Sequence, residues 1–115
     1  MTQNSSYHDA EIVGVFHEAR HENISLNIVF PNGQKSLVTF NGVVGWDLSP
    51  LEEQNCIFDL HEFDKETMPK WIKKDFEIPK EYIELINSKA KKLFYIEPSV
   101  GLGGYIVAKE MKLTM

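Results

Sequence analysis

The sequence has few of the features that cross-link a chain or anchor it in a membrane. Cys56 is the single cysteine, so no disulfide can form within the chain. Charged residues interrupt every hydrophobic run before it approaches the roughly 18–20 apolar residues of a membrane span. Residues 1–6 lack the basic start and apolar run of a secretory signal. These absences predict a cytoplasmic protein without a membrane segment or a disulfide framework.

Basic side chains are scarce in the first half of the chain. Residues 1–64 contain two basic and ten acidic side chains, whereas residues 65–115 contain ten basic and seven acidic ones. The chain as a whole has a formal net charge of −5. An acidic surface repels phosphate backbones and attracts basic partners. We therefore expect neither nucleic acid nor a membrane as a ligand.

The length of 115 residues and a hydrophobic content of 43% predict one domain with a single core. Its expected parts are a disordered N-terminus at 1–6, a β-rich half at 7–63, a helical segment at 65–92 and a C-terminal β-hairpin at 93–115. The helices thus lie between runs of strands instead of alternating with them. This order predicts an α+β fold, mainly an antiparallel sheet or partly open barrel with one or two inserted helices.

Turn residues divide the β-rich half. Apolar residues alternate with others through residues 24–30, and Pro31-Asn32-Gly33-Gln34 then predicts a tight reversal into the next strand. A second Asn-Gly pair, Asn41-Gly42, indicates either another hairpin or a bend within a long strand. Ser49-Pro50 has the residues of a helix start, but only a short turn or a one-turn helix fits before extended character resumes.

The second half changes its period. Apolar residues follow an i, i+3, i+4 pattern from Met68 to Leu85, interrupted at Pro79, which predicts two helices or one broken helix. Farther along, Gly101-Leu102-Gly103-Gly104 resembles a phosphate-binding loop. Such loops lead into a helix, whereas here the extended residues 105–107 follow. A connection between two strands is therefore the favoured interpretation.

One short motif has the spacing of a zinc site. His17-Glu18-Ala19-Arg20-His21 matches His-Glu-x-x-His, in which two histidines on one face of a helix bind zinc and the glutamate acts on the bound water. Here strand-forming residues bracket the motif, so residues 16–24 are predicted to turn back as paired extended chain. We therefore expect no catalytic residues, cofactor or metal, and keep a metal-dependent hydrolase using His17, Glu18 and His21 as an alternative.

Two segments resemble a known group of bacterial proteins. Residues 7–12 read Tyr-His-Asp-Ala-Glu-Ile, and residues 40–43 and 53–60 read Phe-Asn-Gly-Val and Glu-Gln-Asn-Cys-Ile-Phe-Asp-Leu. This pattern resembles the immunity proteins of polymorphic toxin systems that open with a His-Asp-Ala-Glu strand. The likeness covers residues 7 to about 60. It implies a cytoplasmic protein that binds a cognate toxin and neutralises it.

Partner contacts are expected where aromatic anchors adjoin loop charges, as in many interfaces. Four residues meet this description: Trp46, Asp47, Glu52 and Glu53. His8 and Asp9 are expected to bond nearby backbone groups instead. The acidic first half would suit a basic toxin domain. Two further hypotheses stay open: a homodimer formed through a strand edge, and a small-ligand-binding β-barrel or other binding module.

Overall fold

The computed structural model describes residues 7–115, which form an eight-stranded antiparallel sheet and two helices. The strands are β1 Glu11–Glu18, β2 Asn23–Val29, β3 Lys35–Asn41, β4 Gly45–Leu48, β5 Cys56–Phe63, β6 Lys92–Val100, β7 Gly104–Ala108 and β8 Glu110–Thr114. The helices are α1 Lys70–Phe76 and α2 Lys80–Asn87. The α+β prediction is confirmed, and the sheet is open rather than closed into a barrel. The expectation for residues 1–6 lies outside the described residues.

The strand order is β4-β7-β6-β5-β1-β2-β3-β8. It consists of two groups of four strands, a first group of β1, β2, β3 and β8 and a second group of β4, β5, β6 and β7. The groups meet between β1 and β5, where Glu11 opposite Cys56 is the one residue pair in register. Because both residues begin their strands, β1 and β5 run away from each other in opposite directions. Most of β1 therefore has a paired strand on one side only, that of β2.

The predicted hairpin between β2 and β3 is confirmed. The Phe30 N–H donates to the Gln34 carbonyl at 2.9 Å, and the Gln34 N–H donates to the Asn32 side-chain oxygen at 2.9 Å. Gly33 has a φ of 91°, which glycine adopts without strain. Leu26 then lies opposite Val38, and both are fully buried. The turn thus fixes the register that sends the apolar residues of both strands inward.

The chain passes from one group of strands to the other at two neighbouring points. Asn41 ends β3, Gly42 turns with a φ of 68°, and β4 then pairs with β7 instead of β3. Residues 104–114, expected to form the second arm of the C-terminal β-hairpin, are likewise divided at Lys109: β7 pairs with β6 and β4, and β8 pairs with β3. The Lys109 N–H donates to the Asn41 carbonyl at 2.8 Å. The terminal hairpin is therefore β6–β7, with β8 on the other group.

The loop of residues 49–55 contains no helix, so the one-turn helix considered at Ser49-Pro50 is wrong. The Ser49 hydroxyl accepts a hydrogen bond from the Gly103 N–H at 2.9 Å instead of capping a helix. The side-chain oxygen of the buried Asn55 accepts from the N–H groups of Glu52 at 2.8 Å and Leu102 at 3.0 Å. These bonds join the loop to the glycine-rich turn, which connects β6 and β7 as predicted.

Apolar side chains fill both sides of the second group of strands. One cluster lies between the two groups and includes Phe40 and Phe94, whose ring centroids are 5.3 Å apart. A second cluster lies between the two helices and the outer face of the second group, and includes Ile72 and Ile86. The helices are two separate elements, divided at residues 77–79. None of the described helices has the length and apolar content to cross a membrane.

Candidate functional site

The His-Glu-x-x-His residues lie in a hairpin and face different partners. Phe16 lies opposite Ser25 and His17 opposite Ile24, so residues 16–18 and 23–24 pair as predicted. Ala19–His21, predicted as part of the same extended chain, instead form a single 3₁₀ turn at the tip of the hairpin. The His17 ring centroid is 4.7 Å from that of Trp46. The His21 Nδ1 atom lies 3.0 Å from a carboxylate oxygen of Glu18. Across residues 7–115, no three His, Cys, Asp or Glu side chains are grouped to hold a metal ion.

The four residues expected to contact a partner fall on two surfaces. Trp46 and Asp47 are consecutive on β4, so their side chains point to opposite faces of the strand. Trp46 faces His17 on β1. Asp47 lies opposite Tyr105 on the side covered by the helices, where burial raises the pKa of Tyr105 and the Asp47 charge raises it further. The structure thus separates Asp47 from Trp46.

Glu52 and Glu53 lie on the exposed loop of residues 49–55 beside the start of β1. They line a cleft of about 270 Å³ whose other walls include Glu11, Val13 and Leu51. Farther along β1, the His17 ring meets the Trp46 ring. We call this surface the β1 seam and define it by seven residues: Glu11, Val13, His17, Trp46, Leu51, Glu52 and Glu53.

The core-directed face of β1 is accessible to solvent near its C-terminal end. Val15 and His17 lie opposite Leu26 and Ile24, and all four belong to the face directed at the core. Leu26 is 0% exposed and Ile24 is 2% exposed, whereas Val15 is half-buried and His17 is exposed. On this face, the β2 residues are therefore shielded from solvent, and the β1 residues paired with them are not. The difference arises because β5 does not continue alongside β1.

The β1 seam combines carboxylates with exposed apolar side chains. Its charges are the carboxylates of Glu11, Glu52 and Glu53, and its apolar side chains include Leu51, which is 48% exposed, and Trp46, which is 45% exposed. Exposed apolar side chains on the same strand edge as charges of one sign are typical of a surface that recognises a partner of opposite charge. The seam therefore offers an apolar contact area within an acidic setting.

His8 and Asp9 attach the start of the described chain to β5. The His8 Nδ1 atom lies 2.9 Å from the Phe58 carbonyl oxygen, and the two rings meet at a centroid distance of 5.2 Å. The Asp9 N–H donates to the Ile57 carbonyl at 2.9 Å, and Asp9 has a φ of 67°. Both residues therefore have backbone partners, and these partners lie on β5.

An aromatic cluster around His61 was not predicted from the sequence. Its Nε2 atom lies 2.8 Å from a carboxylate oxygen of Glu97, and its ring stacks between Phe63 and Tyr95 at 5.4 and 5.7 Å. Burial raises the pKa of Tyr95, and the charges of Glu97 and Asp75 raise it further. Asp59, His61 and Phe63 alternate along β5 and so share one face of the strand. Their neighbours on β6 lie far away in the sequence, and the sequence does not indicate which β6 residue pairs with His61.

A larger cavity of about 510 Å³ lies at the tip of the β2–β3 hairpin. Its lining residues are His8, Phe30, Pro31, Asn32, Gln34, Leu113 and Met115. It contains one titratable side chain, that of His8, whose Nδ1 atom is already beside the Phe58 carbonyl. A second polar side chain of the lining, Asn32, is likewise engaged, because its oxygen accepts from the Gln34 N–H.

No family model and no curated protein matches the sequence of this chain.

Proposed function

We propose that this chain is a non-enzymatic binding protein, an immunity-type inhibitor that binds and neutralises a cognate basic bacterial toxin in the cytoplasm. The observation that carries the proposal is the β1 seam, where exposed Leu51 lies among the carboxylates of Glu11, Glu52 and Glu53, and exposed Trp46 lies farther along β1 against His17. The resemblance of residues 7–12 and 53–60 to toxin-immunity proteins supports the same class.

Electrostatics favour a basic partner for this surface. The described part of the chain before residue 65 contains two basic residues, Arg20 and Lys35, against ten carboxylates. Such an imbalance accelerates the encounter with a basic protein, and the acceleration falls as ionic strength rises because the Debye length shortens to about 8 Å at 0.15 M salt. The partner is therefore expected to have a basic surface and a salt-dependent association rate.

Hydrophobic contact supplies the second part of the recognition. Exposed tryptophan is a frequent source of binding energy because it buries a large area at a small cost in side-chain entropy. The Trp46 ring already packs against His17 at 4.7 Å, so its position is partly fixed before a partner arrives. A contact prepared in this way loses less conformational entropy on binding.

The proposal is tested with the toxin domain encoded beside this gene. Co-expression of the chain should restore growth to cells that produce the toxin, and the two purified proteins should form a complex measurable by calorimetry. The variant Glu52→Gln/Glu53→Gln should weaken this complex by about tenfold, since charge pairs at interfaces contribute to association. The matched control is Glu81→Gln/Glu84→Gln, which removes two exposed carboxylates from α2.

The control variant should bind within about twofold of the unmodified chain, in keeping with the small effect of charges outside an interface. Absence of both rescue and complex formation would refute the proposed function. A complex that is equally weakened by both double variants would show that net charge matters and the β1 seam does not.

A further inference from the structure

We propose that the open side of β1 binds an extended basic segment of the partner as an additional strand of the sheet. This inference rests on the proposed function for the identity of the partner, and it names the way in which the β1 seam recognises it. Strand addition uses main-chain hydrogen bonds for affinity and alternate side chains for specificity.

The backbone of β1 provides the first argument. β1 pairs with β2 from Glu11 to Glu18, but its register with β5 ends at Glu11. The last backbone hydrogen bond on the β5 side runs from the Ile12 N–H to the Asn55 carbonyl, at 2.7 Å. Within residues 7–115, no strand pairs with that side between Gly14 and Glu18. Alternate residues there direct their N–H and C=O groups away from β2 and are available to an added strand.

The side chains along this edge provide the second argument. Val13 is 56% exposed and Phe16 is 59% exposed, although both are apolar residues within a strand. Val15 and His17 are less covered than the β2 residues opposite them. A strand added beside β1 would cover residues on both faces at once, because its own side chains alternate between the faces. On the core-facing side, its side chains would pack against Val15 and the Trp46 ring.

Charge identifies the occupant as a basic segment. Glu11, Glu52 and Glu53 lie near one end of the open edge, and Glu18 lies at the other end beside His21. The matching segment has basic residues at both ends and apolar or β-branched residues between them. About six residues suffice, because the open edge extends from residue 13 to residue 18 and a strand rises about 3.3 Å per residue.

A second copy of this chain is a poorer occupant of the same edge. Glu11 is already paired with Cys56 on this side, so two copies could pair only through residues 13–18. In the antiparallel register, Glu18 of each copy then lies opposite Val13 of the other, which lines the same cleft as Glu11, Glu52 and Glu53. Like charges brought together in this way destabilise a strand pair. The edge therefore disfavours self-association and favours a segment of the opposite charge.

The test uses three synthetic peptides and the full chain. The probe is acetyl-Lys-Lys-Val-Thr-Val-Lys-Lys-amide. The second peptide is the same probe N-methylated at its three central amides, which blocks hydrogen bonds from both of its edges. The third has glutamate in place of every lysine. Amide hydrogen exchange and NMR titration of the chain locate the contact and give the dissociation constants.

The probe should slow amide exchange at alternate residues between Gly14 and Glu18. The N-methylated and acidic peptides should bind at least tenfold more weakly. Phe16→Ala should weaken binding of the probe at least threefold, whereas the matched variant Phe58→Ala should not, because Phe58 is 47% exposed but lies on β5 beside His8. Phe16 has no corresponding described aromatic partner, so its truncation leaves the hairpin intact.

Three results would overturn the inference: no binding of the probe, equal binding of the N-methylated peptide, or a contact that maps away from β1. A dimer formed through β1, detected by sedimentation, would also overturn it. The toxin experiment stays independent of these results. Rescue by the chain without probe binding at β1 would refute strand addition alone, and probe binding without rescue would refute the immunity function alone.

Discussion

The strands β7 and β1 show two opposite uses of extended chain. β7 pairs with β6 on one side and with β4 on the other. One of its faces packs in the core between the strand groups, and the other packs under the helices. All five of its residues are buried. β1 pairs with β2 along its length and with β5 only at Glu11, and it exposes Val13 and Phe16. Burial accounts for the apolar residues of β7, whereas Val13 and Phe16 on β1 keep more than half of their surface in solvent after folding. The exposed apolar residues of β1 are therefore available to a partner, and those of β7 are not.

The largest expected effect compares one apolar residue from each strand. Ile106 on β7 is fully buried in the core, so Ile106→Ala should lower the free energy of unfolding by about 2–5 kcal/mol through lost contacts and a residual cavity. Phe16→Ala on β1 should lower it by less than about 0.5 kcal/mol, because an exposed ring has few contacts to lose. Urea unfolding measures both. Similar losses for the two variants would abolish the distinction between the strands.

A second prediction concerns the attachment of the seam to the buried part of the fold. Asn55→Ala removes the acceptor for the N–H groups of Glu52 and Leu102, and the buried Leu102 N–H then lacks a partner. The free energy of unfolding should fall by about 1–3 kcal/mol. Amide exchange in residues 49–55 should accelerate. The control Asn32→Ala, at an exposed turn, should change stability by less than about 1 kcal/mol.

A third prediction uses the buried tyrosine of β7. Burial, followed by the charges of Asp47 and Tyr82, raises the pKa of Tyr105 above 10.0. The folded state therefore holds this proton more tightly than the unfolded state does. The resulting stability is fully present below pH 10.0 and is lost as the pH rises through the folded-state pKa.

Unfolding by urea at several alkaline pH values should therefore show stability falling above about pH 10. Tyr105→Phe should make that fall shallower, because phenylalanine has no proton to lose. If the free energy of unfolding falls equally steeply with pH in the variant, burial on β7 does not raise the pKa of Tyr105. This effect is smaller than the other two, since several groups titrate in the same range.

Local patterns predicted much of the fold. The Pro31–Gln34 turn and the alternation before it are decided by residues adjacent in sequence, and the structure confirms both. The two helices follow from a short-range period interrupted at Pro79. The division of the last strand at Lys109 was missed, because each half of that segment pairs with a different and distant strand. The residues of this segment do not indicate that its two halves pair with different strands.

The candidate site was predicted only in part. Trp46, Glu52 and Glu53 were selected as exposed aromatic and acidic residues near a turn, and the structure places all three along β1. Asp47 was grouped with them but lies on the opposite face of β4. The contribution of β1 itself was missed. An open strand edge depends on which strands pair, and no single residue of β1 indicates that β5 runs away from it.

Two tryptophans allow a direct test of the claim that the β1 seam is the binding surface. Trp46 is 45% exposed beside β1, and Trp71 is 46% exposed on α1, where its ring meets Tyr95. The measurement is the affinity of Trp46→Ala and Trp71→Ala for the toxin domain encoded beside the gene. Trp46→Ala should lose about thirtyfold or more, the effect of a binding hot spot, and Trp71→Ala should stay within about twofold. Equal losses, or a larger loss for Trp71→Ala, would contradict the account.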